Sequence, residues 1–231
     1  MNNTDYFLDL YKQLEQTAVS VYGLPADGTA VSKLERFNEY KSIRAELKYC
    51  REVRALLTHN PKIDGDFAVS PSGAMIETLK KVISKIKEPP TCFERCVKTA
   101  NILSAKPDDR VFDKMKIMKS FGYSYIPIMK DKRVVGVFGK HTVFALTLDG
   151  LDNILFDNTR FCDIASYTSL SKSDKNSFRF IPRDMYLFEA EELVINAFKK
   201  KERVNLLFVT ETGKANESLL GILTPWDVMD N

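Results

Sequence analysis

The sequence predicts an α+β protein, in which an all-helical N-terminal domain precedes two copies of one strand–helix–strand–strand–helix (βαββα) unit. Apolar residues recur every three or four positions up to about residue 88, which is typical of amphipathic helices. Beyond Glu88-Pro89-Pro90, short apolar runs alternate with helical stretches, and the same order of elements occurs twice. We therefore predict a helical domain over residues 1–88, a first copy with its linker over 89–160 and a second copy over 161–231.

Three helices are expected in the N-terminal domain. The first is predicted over residues 5–18, and the second runs from about Ser32 to Thr58. The second helix ends before Asn60-Pro61, because proline forces the residue before it out of the helical region. The third is predicted over residues 74–86, where the apolar residues Met75, Ile76, Leu79, Val82, Ile83 and Ile86 share one face.

Arg54 falls inside the apolar stripe of the second helix. A charge on an apolar face needs a partner, so the ordinary interpretation is a structural ion pair or a side chain that extends to solvent. A functional interpretation joins Arg54 to His59, at the end of the helix, where the helix dipole favours a protonated imidazole. An arginine that holds a phosphate and a histidine that moves a proton are sufficient to cleave RNA at its 2′-hydroxyl.

The Arg-x-x-x-x-His spacing of Arg54 and His59, within YKSIRAELKYCREVRALLTHN, resembles the HEPN family of small helical domains. The resemblance implies a metal-independent ribonuclease site near a dimer interface, with RNA as a possible partner. In active members a polar residue commonly follows the arginine, whereas here Ala55 follows it. This departure implies that any activity is weak.

The two copies are predicted from short apolar runs separated by turn signals. The first copy has a strand at 100–105, a turn at 106–109, a helix closed by Gly122, strands at 125–129 and 134–138, and a helix from about His141. The second copy has a strand at 178–181, a turn at 182–184, a helix at 187–200, strands at 205–210 and 219–223, and the start of a last helix.

The last stretch, LLGILTPWDVMDN, contains a predicted buried strand. This strand is followed by a hydroxyl at Thr224 and a carboxylate at Asp227. Thr224 and Pro225 mark a helix start. The side chains of Thr224 and Asp227 therefore belong to the first helical turn, beside unpaired backbone N–H groups. A phosphate or a pair of sugar hydroxyls suits such a position. The same spacing is also that of a helix cap, in which the threonine accepts from helix N–H groups. Both interpretations stay open at this point.

The repeated stretches KPDDRVFDKMKIMKSFGYSYIPIMKDKRVVGVF and IPRDMYLFEAEELVINAFKKKERVNLLFVTETGKANESLLGILTPWDVM resemble the CBS-domain family. The resemblance covers about residues 90–231 and implies a tandem CBS pair, a pseudo-symmetric module with clefts between its copies. It implies an adenine nucleotide (AMP, ADP, ATP) or a related ligand, with phosphate at Thr224 and ribose hydroxyls at Asp227. We also place Ile181 and Leu206, on two strands of the second copy, at this ligand site.

The first copy departs from the Gly-h-h-Thr-x-x-Asp ending of the second. Its corresponding run begins at Gly136, and the hydroxyl is replaced by Gly139 and the acid by Thr142. The first copy therefore lacks the carboxylate that would contact ribose. We expect one nucleotide site instead of two.

Composition limits the remaining classes of function. The formal charge of +3, with 28% charged residues, neither requires nor excludes nucleic acid. The N-terminus lacks a basic and then apolar signal, and no stretch has the length of a membrane span, so we expect a cytoplasmic protein with no membrane partner. Four cysteines without a paired CxxC framework and only two histidines predict reduced thiols and no metal site.

These features favour a ligand-sensing regulatory protein, in which a CBS pair binds an adenine nucleotide or related ligand and controls the helical domain. A homodimer is expected, because CBS pairs leave apolar helix faces that two modules can bury. One alternative is a nucleotide-gated, metal-independent ribonuclease that uses Arg54 and His59. The other is a dimerisation scaffold that binds no ligand, in which Thr224 and Asp227 are only helix caps.

Overall fold

The computed structural model describes residues 2–60, 67, 69–151, 158–170 and 177–229. The chain divides into two compact units, one up to Pro90 together with the C-terminal end from Met229, and one formed by Thr91–Val228. Every regular element described in the first unit is a helix, whereas the second unit combines helices with β-strands. The predicted α+β class with a helical N-terminal region is therefore confirmed.

The first unit is built from four α-helices and one 3-10 helix. Asn2 begins the first of them by accepting a hydrogen bond from the Asp5 N–H (2.8 Å), and Gly23 ends it with a φ of 61°. Ser72 begins the last in the same way, through the Met75 N–H at 3.2 Å. The helices are α1 (Asn3–Tyr22), α2 (Ala30–Leu34), a 3-10 helix (Asn38–Ile43), α3 (Arg44–His59) and α4 (Gly73–Lys87).

The single helix expected from Ser32 to Thr58 is wrong, because the chain bends between α2 and the 3-10 helix. Leu34 and Tyr40 are both buried, although in one straight helix their side chains would point about 120° apart. Glu35, in the bend, is also held by α3. Its carbonyl accepts from Arg44 Nε (2.7 Å) and its carboxylate from Arg51 Nε (2.6 Å). Tertiary contacts thus override the local helical pattern.

The core of the first unit lies between α1, α3 and α4. The apolar positions predicted for α4 are all buried, and those of α3 that face α1 are buried as well. The fully buried side chains of this core include Phe7, Leu14, Leu34, Leu47, Leu79 and Ile86.

The second unit follows the predicted order of elements closely. Its helices are α5 (Cys92–Arg95), a 3-10 helix (Thr99–Asn101), α6 (Val111–Phe121), α7 (Lys140–Leu148), α8 (Ala165–Thr168), α9 (Leu187–Lys199) and α10 (Pro225–Met229). Its strands are β1 (Val97–Lys98), β2 (Tyr125–Lys130), β3 (Arg133–Gly139), β4 (Phe178–Pro182), β5 (Leu206–Thr210) and β6 (Gly221–Leu223). The strand predicted at 100–105 is wrong, because this segment forms the 3-10 helix and then a single bridge from Ala105 to Ile128.

The strand pairings repeat in the two halves of the second unit. In the second half β4 is parallel to β5, β5 is antiparallel to β6, and β6 is antiparallel to β1. In the first half Ala105 bridges in parallel to β2, β2 is antiparallel to β3, and Gly136 of β3 bridges antiparallel to Ser169. The last strand of each copy therefore pairs with a segment near the start of the other copy.

Glycine occupies the equivalent position of this exchanged pairing in both copies. A Cβ on Gly221 would lie 2.7 Å from the carbonyl oxygen of Val97, and a Cβ on Gly136 would lie 2.7 Å from that of Thr168. Both distances are shorter than a Cβ tolerates, so the close approach of the two backbones requires glycine. The repeat is thus visible in a local contact as well as in the order of elements.

The two copies share an apolar cluster besides their separate cores. Val134 and Val137 of the first copy pack with Phe178, Leu206 and Phe208 of the second. These side chains are 8% exposed or less, so the copies form one continuous structure. In the part of the chain that the model describes, no helix has both the length and the apolar character needed to cross a bilayer.

We expect Gly221→Ala to lower the free energy of unfolding of the second unit by about 1–3 kcal/mol, because the added methyl group overlaps with Val97 and Cys96. Urea unfolding of the full chain, followed by circular dichroism, measures this change. Gly73→Ala is the matched control, since nothing lies within 4 Å of its added methyl group. Equal loss in the two variants would contradict the proposed close approach.

Candidate functional site

A cavity of about 650 Å³ opens in the second unit beside the junction of β6 and α10. Its wall combines the segment around β1, the turn after α6, the start of β5 and the first turn of α10. The lining residues are 97, 101–103, 122–125, 204–206, 222 and 224–227. The exchanged pairing of β1 with β6 brings these parts of the two copies together, since β1 lies directly beside the strand that leads to Thr224.

Thr224 and Asp227 both line this cavity and are joined by a reciprocal cap. Asp227 Oδ2 accepts hydrogen bonds from the Thr224 N–H (2.6 Å) and from the Thr224 hydroxyl (2.8 Å). Thr224 Oγ1 in turn accepts from the Asp227 N–H at 3.4 Å. The capping interpretation therefore describes the hydrogen bonds, while the same two side chains form part of the cavity wall.

Of the two strand residues placed at the site, Leu206 lines the cavity and Ile181 lies elsewhere. Ile181 is 1% exposed and belongs to the core of the second copy. The register explains the difference. The cavity lies at the start of β5, where Leu206 pairs with Phe178, whereas Ile181 pairs with Val209, three residues further along the strand. Ile181 is thus a core residue rather than a wall residue.

Several wall residues were not predicted from the sequence. Tyr123 and Tyr125 come from the turn and strand after α6, and Trp226, 73% exposed, lies between Thr224 and Asp227 in α10. Asn101 and Asn205 add two amide side chains. The tryptophan inside the Thr-x-x-Asp run could have indicated a binding site from the sequence, because large aromatic residues at the surface are common in binding sites.

The corresponding position in the first copy, Gly139, is closely packed by Tyr125, and it also lines a smaller cavity of the second unit. Thr142 is fully buried, and its hydroxyl accepts a hydrogen bond from the Gly139 N–H at 3.3 Å. A Cβ on Gly139 would lie 2.6 Å from the ring of Tyr125. The His141 ring also lies against Tyr125, with centroids 5.8 Å apart. Glycine at 139 is therefore required by the fold, and no hydroxyl could replace it without moving Tyr125.

A smaller cavity, of about 290 Å³, lies between the end of α6 and the start of α7. Its wall is mainly apolar, with methionine and phenylalanine side chains, and two lysines, Lys119 and Lys140, belong to it. Gly122 and Tyr123 line both cavities. The turn at 122–123 is therefore common to a cavity with lysines and to the cavity at Asp227.

Arg54 has an aromatic partner in the first unit. Its guanidinium lies 5.8 Å from the centroid of the Tyr11 ring on α1, which is within the range of a cation–π contact. Burial raises the pKa of the Tyr11 phenol, and the positive charge of Arg54 acts in the opposite direction. His59 is exposed as the last residue of α3, and residues 61–66, which follow the Asn60 break, lie outside the described residues.

The four cysteines are free thiols, three of them buried (Cys50, Cys92 and Cys96) and one exposed (Cys162). Burial raises the pKa of Cys50 and of Cys92 to about 12 in each case, so these two thiols stay protonated at neutral pH. Among the described residues, no group of three or more histidine, cysteine, aspartate or glutamate side chains could hold a metal ion.

No protein-family model matches the sequence, and no curated protein matches it. Solved structures similar to the chain include CBSX2, a CBS-pair protein from Arabidopsis thaliana, at 21% identity over 61% of this chain and 92% of that chain, with a TM-score of 0.43. A structure of CBSX2 in complex with AMP has 20% identity, coverage of 60% and 92%, and a TM-score of 0.42.

A further similar structure is a hemolysin-like protein containing a CBS domain, from Oenococcus oeni PSU. It is 14% identical over 61% of this chain and 88% of that chain, with a TM-score of 0.41. At these identities and TM-scores the likeness carries no information about function.

We expect Arg54→Met to lower the free energy of unfolding of the first unit by about 0.5–1 kcal/mol, because methionine keeps an apolar contact and loses the attraction between cation and ring. Urea unfolding of the full chain measures the change. Arg54→Lys is the matched control that keeps the charge, and it should lose less. A larger loss in Arg54→Lys than in Arg54→Met would show that the Tyr11 contact contributes nothing as a cation–π pair.

The hypothesis that Arg54 and His59 form a ribonuclease site is tested by an RNA cleavage assay. It requires that unstructured RNA be cleaved by the purified chain in the presence of a chelator, and that His59→Ala abolish the cleavage. If wild type leaves the RNA intact, with or without adenine nucleotide, Arg54 keeps only its structural contact with Tyr11.

Proposed function

We propose that the second unit is a tandem CBS pair, with copies over residues 89–160 and 161–231, that binds an adenine nucleotide or a related ligand and thereby regulates the helical first unit. The observation that carries the proposal is the cavity of about 650 Å³ with Thr224 and Asp227 in its wall. This volume lies within the range of small-molecule sites in proteins, about 300–1,000 Å³.

The wall offers a contact for each part of such a ligand. A carboxylate can accept about four hydrogen bonds, so Asp227 can hold ribose hydroxyls as well as the cap bonds from Thr224. The rings of Tyr123 and Trp226, which are 46% and 73% exposed, are suited to stack on a purine. In this arrangement the ribose lies on Asp227, and a phosphate attached to it lies near Thr224.

Regulation follows from the composition of the wall, since residues 122–125 belong to the first copy and residues 224–227 to the second. A ligand in the cavity contacts both copies and stabilises their arrangement. Binding increases the free energy of unfolding by about 2.7 kcal/mol when the ligand is present at 100 times its Kd. We propose one such site per chain, because Gly139 and Thr142 replace the hydroxyl and the carboxylate in the first copy.

We also propose that two chains form a homodimer through α7. Phe144 and Leu148 are 66% and 71% exposed in the single chain, and residues four apart lie on one face of a helix. Large apolar side chains adjacent on a helix face are typical of a surface that a partner covers. A two-fold axis would let the same face of α7 meet its copy.

We expect Asp227→Ala to weaken the binding of an adenine nucleotide by about 1–3 kcal/mol, because hydrogen bonds between the carboxylate and the ribose are lost. Calorimetric titration of the full chain gives the two affinities. Asp184→Ala is the matched control, since Asp184 is exposed and is not part of the described cavity wall. Equal affinity in wild type and Asp227→Ala would remove Asp227 from the site.

We expect light scattering at micromolar concentration to give twice the 26.4 kDa mass of one chain. Phe144→Glu should reduce this to the mass of a monomer, because it places a charge in the proposed interface. Phe198→Glu makes the same change at a residue of α9 that is 80% exposed, and it should leave the dimer intact. A wild-type monomer would overturn the proposal, and a monomer in Phe198→Glu alone would move the interface to α9.

A further inference from the structure

We propose that the cavity at Asp227 selects adenine ligands that carry at most one phosphate and discriminates against the di- and triphosphates. This inference rests on the proposed function and concerns the same site. The observation behind it is the charge of the wall. Among the described residues that line the cavity, Asp227 is the only one of a charged type; lysine, arginine, histidine and glutamate do not occur there.

Sites for polyphosphates gather positive charge or several backbone N–H donors. The chain contains 34 lysine and arginine residues, yet the described part of this wall contains none of them. Among the described residues of the wall, no side chain could therefore neutralise a second or third phosphate. Each added phosphate group brings a further negative charge towards a carboxylate.

The start of α10 supplies few backbone donors to replace the missing cations. The N–H of Thr224 donates to Asp227 Oδ2, and the N–H of Asp227 donates to Thr224 Oγ1. Pro225, between them, has no N–H. A phosphate at this helix start thus meets a cap in which, among residues 224–227, the Trp226 N–H alone takes no part in the hydrogen bonds between Thr224 and Asp227.

The remaining wall is suited to an uncharged nucleoside. Tyr123 and Trp226 present aromatic rings, and Asn101 and Asn205 present amides that can both donate and accept hydrogen bonds. These groups recognise a purine and a ribose without requiring charge on the ligand. The binding free energy is then expected from the base and the sugar, with a single phosphate tolerated beside Thr224.

The smaller cavity, in contrast, has lysines in its wall. Lys119 and Lys140 line it, and it shares only the turn residues Gly122 and Tyr123 with the larger cavity. Both lysines are exposed and are therefore hydrated. A triphosphate could use them only by extending its tail out of the larger cavity, past this turn.

The test is a calorimetric titration of the full chain with adenosine, AMP, ADP and ATP at one ionic strength and in the presence of a chelator. We expect AMP to bind at least tenfold more tightly than ATP, with ADP between them and adenosine no weaker than ADP. An ATP affinity within tenfold of that of AMP overturns the inference and leaves the proposed function intact. Failure of all four ligands to bind overturns both.

Two variants test whether the charge of the cavity wall causes the selectivity between AMP and ATP. Asn101→Lys adds a cation to the cavity wall. It should lower the ratio of the ATP dissociation constant to the AMP dissociation constant by at least fivefold. Asn196→Lys adds the same charge on an exposed position of α9, outside the described wall, and should leave that ratio unchanged. Equal ratios in the two variants would show that the charge of the wall does not set the selectivity.

One further outcome would overturn the inference in a specific way. If ATP binds as tightly as AMP in wild type and Lys119→Gln weakens ATP alone by tenfold, the phosphates extend into the smaller cavity. The two cavities would then act as one site for a nucleotide of high negative charge.

Discussion

The exchange of strand pairing between the two copies is the constraint on which the second unit depends. β1 lies near the start of the first copy but pairs with β6 of the second, and Ser169 lies near the start of the second copy but bridges to β3 of the first. Such contacts join residues far apart in sequence, so neither copy completes its sheet alone. Gly221 and Gly136 allow the backbones to approach closely enough for the pairing. The cavity at Asp227 is a consequence, since β1 forms one of its sides.

The repeat has two equivalent positions, and the residues at them differ. At Thr224 the chain keeps a hydroxyl and a carboxylate beside an open cavity. At Gly139 the ring of Tyr125 occupies the space that a side chain would need, and Phe178 lies against that ring with centroids 5.7 Å apart. Aromatic packing in the first copy therefore excludes the polar pair found in the second, and it also joins β2 to β4. One position stabilises the unit through this packing, while the other lies beside an open cavity.

Elements with a strong local signal could be predicted from the sequence. The helix α6 ends at Gly122 with a φ of 74°, as its glycine indicates, and the βαββα order of the second copy follows from its apolar runs. The bend at Glu35 could not be predicted, because it depends on hydrogen bonds to Arg44 and Arg51 of another helix. Periodicity marks the strand of Ile181 as apolar and says nothing of its depth or register, so the burial of this residue in the core could not be predicted.

The same limit applies to the candidate site. Thr224 and Asp227 share a helix turn, so their spacing alone was enough to bring them together. Tyr123 and Asn101 join them only through the pairing of β1 with β6, which no local pattern specifies. The cap also has a consequence for sensing. Because Asp227 fixes the start of α10 and would hold a ribose, a ligand that hydrogen-bonds to this carboxylate acts on the group that stabilises the helix. If Asp227 binds a ribose as proposed, occupancy of the cavity and stability of α10 are linked through one side chain.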